Sequence, residues 1–345
     1  MGSIKRIGVL TGGGDCPGLN PVIRAVVRKA LAEGVEVVGI RNGWKGLVTE
    51  TTMPLTLESV AGILPKGGTI LGTSRTNPYK KEQDLAAVKA NFKALGLDAL
   101  IAIGGEDTLG VATRLTAEGF PVVGVPKTID NDLSETDVTF GFDTAVNIVT
   151  ECIDRLHTTA ESHNRIMVCE VMGRHAGWIA VHAGIAGGAD VILIPERPID
   201  IEEVCRAIQN RHKRGRTFSI IVVAEGAEFK PGQTVNVVKE KDAFGHVRLG
   251  GIGNLLGEMI EQKTGYETRV TVLGHIQRGG SPSAFDRVLG TRFGVRAVEL
   301  ALEGEFGMMV SLKGNEIVPV KIEQATRQLK LVDAELYDLA KLFFG

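Results

Sequence analysis

Short β-branched runs, each ending in a glycine- or acid-rich turn ahead of a helical stretch, constrain this chain more than any other feature. Ile7-Gly8-Val9-Leu10 runs into Thr11-Gly12-Gly13-Gly14-Asp15-Cys16-Pro17-Gly18, and Asn20 to Glu33 then has helical character. Val35 to Ile40 is a second run. Ala99 to Ile103 leads into Gly104-Gly105-Glu106-Asp107-Thr108 and a helix from Leu109 to about Glu118. Pro121-Val122-Val123-Gly124-Val125 leads into Pro126-Lys127-Thr128-Ile129-Asp130-Asn131-Asp132. Such runs read as buried strands, and their alternation with helices predicts a mostly parallel sheet covered on both faces. A long helix is expected from Phe142 to about Ser162, with Val146, Val149, Ile153 and Leu156 as its apolar positions. A second strand series then begins: Arg165 to Glu170, Val191 to Ile194, Ser219 to Ala224 and Thr271 to Leu273. Two series predict two α/β lobes with a cleft between them. Pro231-Gly232 and the polar run Lys239 to His246 read as an exposed excursion within the second lobe.

Length agrees with two lobes, since 345 residues exceed the roughly 100–200 that one core serves. A formal charge of −2 gives no reason to invoke nucleic acid or an anionic membrane surface. No apolar stretch reaches the ~20 residues of a membrane span, and Ile4 to Leu10 is too short for a secretory signal. Cys16, Cys152, Cys169 and Cys205 lack metal-type spacing and suit a reducing cytosol, so the expected location is the cytoplasm.

In an open α/β sheet, ligands bind just past the carboxyl ends of the strands. Asp130 and Asp132 fall there, where two acids cost solvation unless they act on something; the plain alternative is an Asx-turn with solvated acids. Gly12 to Gly18 lies between a strand and a helix, so backbone N–H groups and a helix N-terminus there suit an anion. The dinucleotide fingerprint G-x-G-x-x-G fails, because counting from Gly12 the last position is Pro17. Arg41-Asn42-Gly43 also stands where its acid belongs, which disfavours a nicotinamide-dependent oxidoreductase. No G-x-x-x-x-G-K-[ST] occurs. Glu106 and Asp107 beside a phosphate cradle read as a Mg²⁺ anchor, because Mg²⁺ takes one or two carboxylates plus substrate phosphates. Arg75, Arg165, Arg174, Arg269 and Arg278 lie in Gly-, Ser- or Thr-rich joints beside His275, and guanidinium forks suit phosphate. Together they argue for a phosphorylated substrate. Met172-Gly173-Arg174 and Ala224-Glu225-Gly226, each directly after a second-series strand, complete the set.

These segments together resemble the 6-phosphofructokinase family. The matching runs are Leu10 to Asn20, Gly104 to Thr108, Pro126 to Asp132, Met172 to Arg174, Ala224 to Gly226 and Gly274-His275-Ile276-Gln277-Arg278-Gly279-Gly280. They occur in family order over nearly the whole chain. The resemblance implies two Rossmann-like three-layer αβα lobes with mostly parallel sheets and an active-site cleft between them. It places the donor lobe at residues 1–141 plus about 276–323, and the sugar-phosphate lobe at 142–275 plus about 324–345.

It further implies transfer of a phosphoryl group to the 1-hydroxyl of fructose 6-phosphate, giving fructose 1,6-bisphosphate, in glycolysis and gluconeogenesis. On that resemblance Asp130 is the general base, and Thr128 and Asp132 orient the reacting groups. Arg75 and Arg174 stabilise the transferring phosphoryl, and Gly13 and Gly14 approach the donor. Arg165, Arg269, His275 and Arg278 hold the sugar 6-phosphate, while Met172, Gly173 and Glu225 hold the sugar. The counterparts of Arg165 and Arg269 come from a neighbouring subunit in the family, so a homodimer or homotetramer with shared sites is expected. Glu106 matches the Mg²⁺-associated acid, usually Asp in the family.

Two positions bear on the donor. ATP-dependent members typically carry Gly after the metal-associated acid, and many bacterial ones carry Gly before the Thr-Ile-Asp-Asn-Asp motif. Here Asp107 and Lys127 stand at those places, as in pyrophosphate-dependent members. Asp107 would repel the α-phosphate of ATP, and Lys127 would meet charge developing on pyrophosphate. Pyrophosphate is therefore the expected donor, in a readily reversible reaction. The alternatives are an ATP-dependent 6-phosphofructokinase and a non-catalytic sugar-phosphate-binding regulatory subunit. Intact Asp130, Arg174 and Gly13-Gly14 argue against the latter.

Overall fold

The computed structural model describes residues 4–232 and 250–345, and the polar run Lys239 to His246 lies outside them. The first elements are β1 (Arg6–Thr11), α1 (Leu19–Ala32), β2 (Glu36–Ile40), α2 (Trp44–Val48), β3 (Thr52–Leu55), α3 (Glu82–Ala94), β4 (Ala99–Gly104) and α4 (Glu106–Ala117). Then come β5 (Val122–Thr128), β6 (Phe140–Gly141), α5 (Phe142–His163), β7 (Ile166–Val171), α6 (Trp178–Ala186), β8 (Val191–Leu193), α7 (Ile201–Lys213) and β9 (Ser219–Ala224). The chain ends with α8 (Ile252–Thr264), β10 (Thr268–Val272), α9 (Ala284–Glu303), β11 (Met308–Lys313), β12 (Glu316–Lys321), α10 (Ile322–Arg327) and α11 (Ala334–Lys341). These group into two compact units. Unit 1 is Met1–Ile129, Leu133–Thr144 and Arg278–Leu329; unit 2 is Asp130–Asp132, Ala145–Gln277 and Lys330–Gly345.

The sheet of unit 1 runs β12-β11-β5-β4-β1-β2-β3, and β6 also pairs with β5. Its interior pairs are parallel, and the antiparallel strands β3 and β12 close its two edges. Every residue of β4 is buried, as a parallel strand covered on both faces requires. Helix α1 buries Val22, Ile23, Val26, Val27 and Ala30, the i, i+3, i+4 stripe of a helix lying on a sheet. A core around Leu10, Ile40, Leu100, Leu109, Leu115 and Val122 results. Each such side chain contributes about 1.5–3 kcal/mol on burial.

Unit 2 carries a four-stranded, all-parallel sheet in the order β10-β7-β9-β8. Strands β7 and β9 are buried throughout. Ile166, Val168, Ile221 and Val223 pack with Ile201, Val204, Ile208, Leu256 and Ile260 of α7 and α8. The mixed α/β architecture with mostly parallel sheets is the one expected from the sequence. No helix among the described residues is long and apolar enough to cross a membrane.

Three local expectations are corrected. Strand β5 does not stop at Val125 but continues through Lys127 and Thr128, where β6 supplies the partners Phe140 and Gly141. Helix α4 starts at Glu106, so the two acids occupy its first turn, where the helix dipole favours them. Strand β10 begins at Thr268, so Arg269 lies on an edge strand and not in a joint.

Candidate functional site

In unit 1 the turn after β1 is closely packed against other side chains. A Cβ on Gly12 would lie 2.5 Å from the Thr108 hydroxyl, and one on Gly14 would lie 2.7 Å from Arg278 Nη1. Gly13 has φ 79°, a left-handed conformation that glycine adopts without strain. The Gly12 amide donates to Ile103 O at 2.9 Å and the Gly13 amide to Ser74 O at 3.3 Å, so these two N–H groups are already used. Positive charge comes instead from Lys127, which is 4% exposed and donates to the Gly14 carbonyl, and from the Arg278 guanidinium. The resemblance assigns Arg278 to the sugar phosphate; its guanidinium lies against Gly14. Cys16 is buried, and that burial pushes its thiol up, out of the range where a thiolate forms.

The loop that carries Arg75 is stitched to the same turn. Thr11 Oγ1 donates to Gly72 O at 2.8 Å, and Thr73 Oγ1 donates to Gly13 O. Asn20, fully buried in the first turn of α1, donates to the carbonyls of Lys66 and Gly67 and accepts from the Ile70 amide. Arg75 itself is exposed. After β4, Gly104 and Gly105 lead into Glu106, exposed, and Asp107, half-buried. A pocket of about 230 Å³ opens there, lined by Asn77, Glu106, Asp107, Gly110, Val111, Arg114 and Thr326. No cluster of three or more His, Cys, Asp or Glu suited to a metal occurs among the described residues. The adjacent Glu106 and Asp107 nonetheless fit Mg²⁺, which needs only one or two protein carboxylates when phosphates complete its shell.

Past Lys127 the chain turns sharply. Asn131 has φ 53°, which Asn tolerates better than most residues. Asp130 and Asp132 on either side of it are buried, at 5% and 9% exposure. The Asp132 carbonyl accepts from the Lys330 amide at 2.8 Å.

In unit 2 the ends of β7, β9 and β10 carry the remaining residues. Gly173 and Arg174 both have positive φ, 141° and 53°. The Arg174 amide donates to Glu225 Oε1 at 3.3 Å, and the Glu225 amide donates to Val171 O at 2.8 Å. A Cβ on Gly226 would lie 1.7 Å from Arg174 O, so only glycine permits this approach. The structure thus joins Met172, Gly173, Arg174 and Glu225 into one constellation. Arg165 and Arg269 form a second, both paired to Glu267, the former at 2.9 Å. His275 is exposed on the turn after β10. Sequence reasoning missed Asn20, Thr108, Glu170 and Gln277. Glu170 is buried and accepts from the amides of Gly251 and Gly253 at the start of α8.

It also missed Asp286. This fully buried carboxylate accepts from the Thr144 amide at 2.9 Å and from the Thr144 hydroxyl at 2.5 Å. Burial pushes its pKa up from 3.8 to about 6, against the pull of those hydrogen bonds. The folded state therefore holds this proton more tightly than the unfolded chain. Its contribution to stability is fully present below about pH 4 and is lost as pH rises through about 6. Asp286→Asn should flatten that part of the stability profile, checked by denaturant midpoints at pH 4, 5, 6 and 7. A variant whose profile parallels the unmodified one would contradict the assignment.

Comparison with known proteins bears on the family of the whole chain. The family profile described as phosphofructokinase matches residues 6–301. The chain is 61% identical over 341 residues to a pyrophosphate--fructose 6-phosphate 1-phosphotransferase of Amycolatopsis methanolica, covering 99% of this chain and 100% of that one. It is 54% identical over 342 residues to an ATP-dependent 6-phosphofructokinase of Mycobacterium leprae, with 99% and 100% covered. Among solved structures, phosphofructokinase from Saccharomyces cerevisiae superposes with a TM-score of 0.81 at 34% identity. That match covers 94% of this chain but only 45% of the yeast chain. The profile spans most of the chain and the bacterial relatives align end to end, so the chain belongs to the phosphofructokinase family.

Proposed function

We propose that the protein transfers a phosphoryl group from pyrophosphate to the 1-hydroxyl of fructose 6-phosphate, giving fructose 1,6-bisphosphate and phosphate, reversibly. The observation that carries the donor assignment is Asp107 in the first turn of α4, together with Lys127 beside the glycine turn. The relatives named for pyrophosphate, at 60–61% identity, support the same donor.

Asp130 accepts the proton of the 1-hydroxyl as its oxygen attacks the terminal phosphorus, and the bond to the leaving phosphate breaks. Such a transfer asks mainly for positioning and charge stabilisation. Lys127, Arg75 and Arg174 meet the negative charge on the transferring group. Thr128 and Asp132 orient the reacting atoms, and Gly13 and Gly14 let the donor approach the backbone. Met172, Gly173 and Glu225 hold the sugar, while Arg165, Arg269, His275 and Arg278 hold its 6-phosphate. Glu106 and Asp107 would hold Mg²⁺, which when bound would neutralise pyrophosphate charge. The donor lobe would comprise residues 1–141 and about 276–323, and the sugar-phosphate lobe 142–275 and about 324–345. Four free cysteines and phosphorylated substrates support a cytoplasmic setting.

A panel of ATP, ADP, GTP and pyrophosphate with fructose 6-phosphate and Mg²⁺ tests the donor. The expected result is the highest kcat/KM with pyrophosphate, and a preference for ATP would overturn the proposal. The second reading, an ATP-dependent enzyme, is favoured by the ATP-named relatives at 54% identity.

Shared sites in a homodimer or homotetramer are part of the proposal. Mixing inactive Asp130→Ser chains with inactive Arg269→Ala chains, under proven subunit exchange, should restore some activity. Failure to restore any would mean that each site is built within one chain.

A further inference from the structure

We propose that Gln277 is a positioning residue of the sugar-phosphate site, locking the end of β7, with Met172-Gly173-Arg174, to the turn that carries His275. The inference rests on the sugar-phosphate reading given above.

Gln277 is fully buried, so both ends of its carboxamide need partners. Oε1 accepts from the Met172 amide at 3.2 Å, and Nε2 donates to the Gly274 carbonyl at 3.0 Å. The placement of these bonds is what matters. The ladder between β7 and β10 ends at Glu170 and Val272, followed by one more bond from the Leu273 amide to Glu170 O at 3.1 Å. Beyond that point Gly274 turns away with φ 50°. No strand pairing then relates Met172 to the His275 turn, and the Gln277 side chain makes the link. On the other side of β7, the bond from Glu225 to Val171 O and the bond from Arg174 to Glu225 extend the constellation. Gln277 thus completes a bridge from Glu225 through Met172 to Gly274, with both ends of its carboxamide bonded to backbone.

An apolar side chain of the same shape would orphan the buried Met172 amide and remove the bond to the part-buried Gly274 carbonyl. A carboxylate would keep the bond from Met172 but turn an oxygen toward the Gly274 carbonyl. Gln277→Met and Gln277→Glu should therefore both raise KM for fructose 6-phosphate by about tenfold. KM for pyrophosphate should stay within about twofold. That split separates positioning from general loss of structure, which would move both constants or only the amount of folded enzyme. Equal changes in both KM values, or a sugar-phosphate KM within about twofold of the unmodified protein, overturn the inference. Amide hydrogen exchange on the unmodified full chain tests the contact without any substitution. The Met172 amide should be protected, and exchange as fast as that of an exposed turn would also overturn it. If the unmodified protein neither binds nor phosphorylates fructose 6-phosphate, the functional reading itself falls. If it does both while Gln277→Met behaves normally, only the role of Gln277 falls.

Discussion

Asp130→Ser is expected to lower kcat by about 10²–10⁴-fold, the usual worth of a positioned general base, or about 3–5 kcal/mol of barrier. Serine removes the base and leaves a small hydroxyl in its place, so KM for fructose 6-phosphate should change far less. In the proposed reading the proton transfer is made in the transition state, while sugar binding is spread over Met172, Glu225 and the arginines. Loss of kcat and kcat/KM together, with near-constant sugar-phosphate affinity by calorimetry, is the signature of an interaction made only in the transition state. Because the same base must return its proton in the reverse direction, the loss should be of similar size with fructose 1,6-bisphosphate and phosphate as substrates. Near-normal turnover in either direction would remove Asp130 from this role. Asp130 is 5% exposed, so a thermal or denaturant midpoint measured alongside separates lost chemistry from lost fold.

The α/β architecture was legible because the interior strands of both sheets are parallel and covered on both faces. Such strands must be continuous apolar runs, as Ala99–Gly104, Ile166–Val171 and Ser219–Ala224 are. Legibility failed where pairing depends on distant chain. Pro126 lacks a ladder donor and reads as the end of a strand, yet β5 continues because Phe140 and Gly141 pair with Lys127 and Thr128. Thr268-Arg269-Val270 reads as a polar joint because β10 lies at the edge of its sheet and leaves Arg269 exposed. The same limit governs the polar network. Asn20 acts on backbone 46–50 residues away, and Gln277 acts on Met172, 105 residues away. Nothing local marks either one, since a carboxamide's role is set by what the fold brings opposite it. Asp130 and the glycine turn stood out in the sequence because of their place after strands, and the structure puts Asp130 in a buried turn and the glycines in a close-packed one.

Asp107→Gly should admit ATP. In the proposed reading the Asp107 carboxylate stands where the α-phosphate of a nucleotide would lie. Two unit charges ~4 Å apart repel by about 1 kcal/mol in bulk water and about 4 kcal/mol at an effective dielectric of ~20. Asp107 is half-buried at the start of α4, so the true value falls between these limits. Removing the charge should thus raise kcat/KM for ATP by somewhere between about fivefold and a thousandfold. Glycine in a first helical turn costs at most about 1 kcal/mol of stability, too little to mask the gain. In the proposed reading, where Asp107 helps Glu106 to seat Mg²⁺, the pyrophosphate reaction should weaken in parallel. A donor panel run on the variant at saturating fructose 6-phosphate reads both effects. No gain with ATP would leave the preference for pyrophosphate standing but remove Asp107 as its cause. Exclusion would then lie with the rest of the pocket, whose lining includes Arg114, stacked 3.5 Å over the Tyr79 ring.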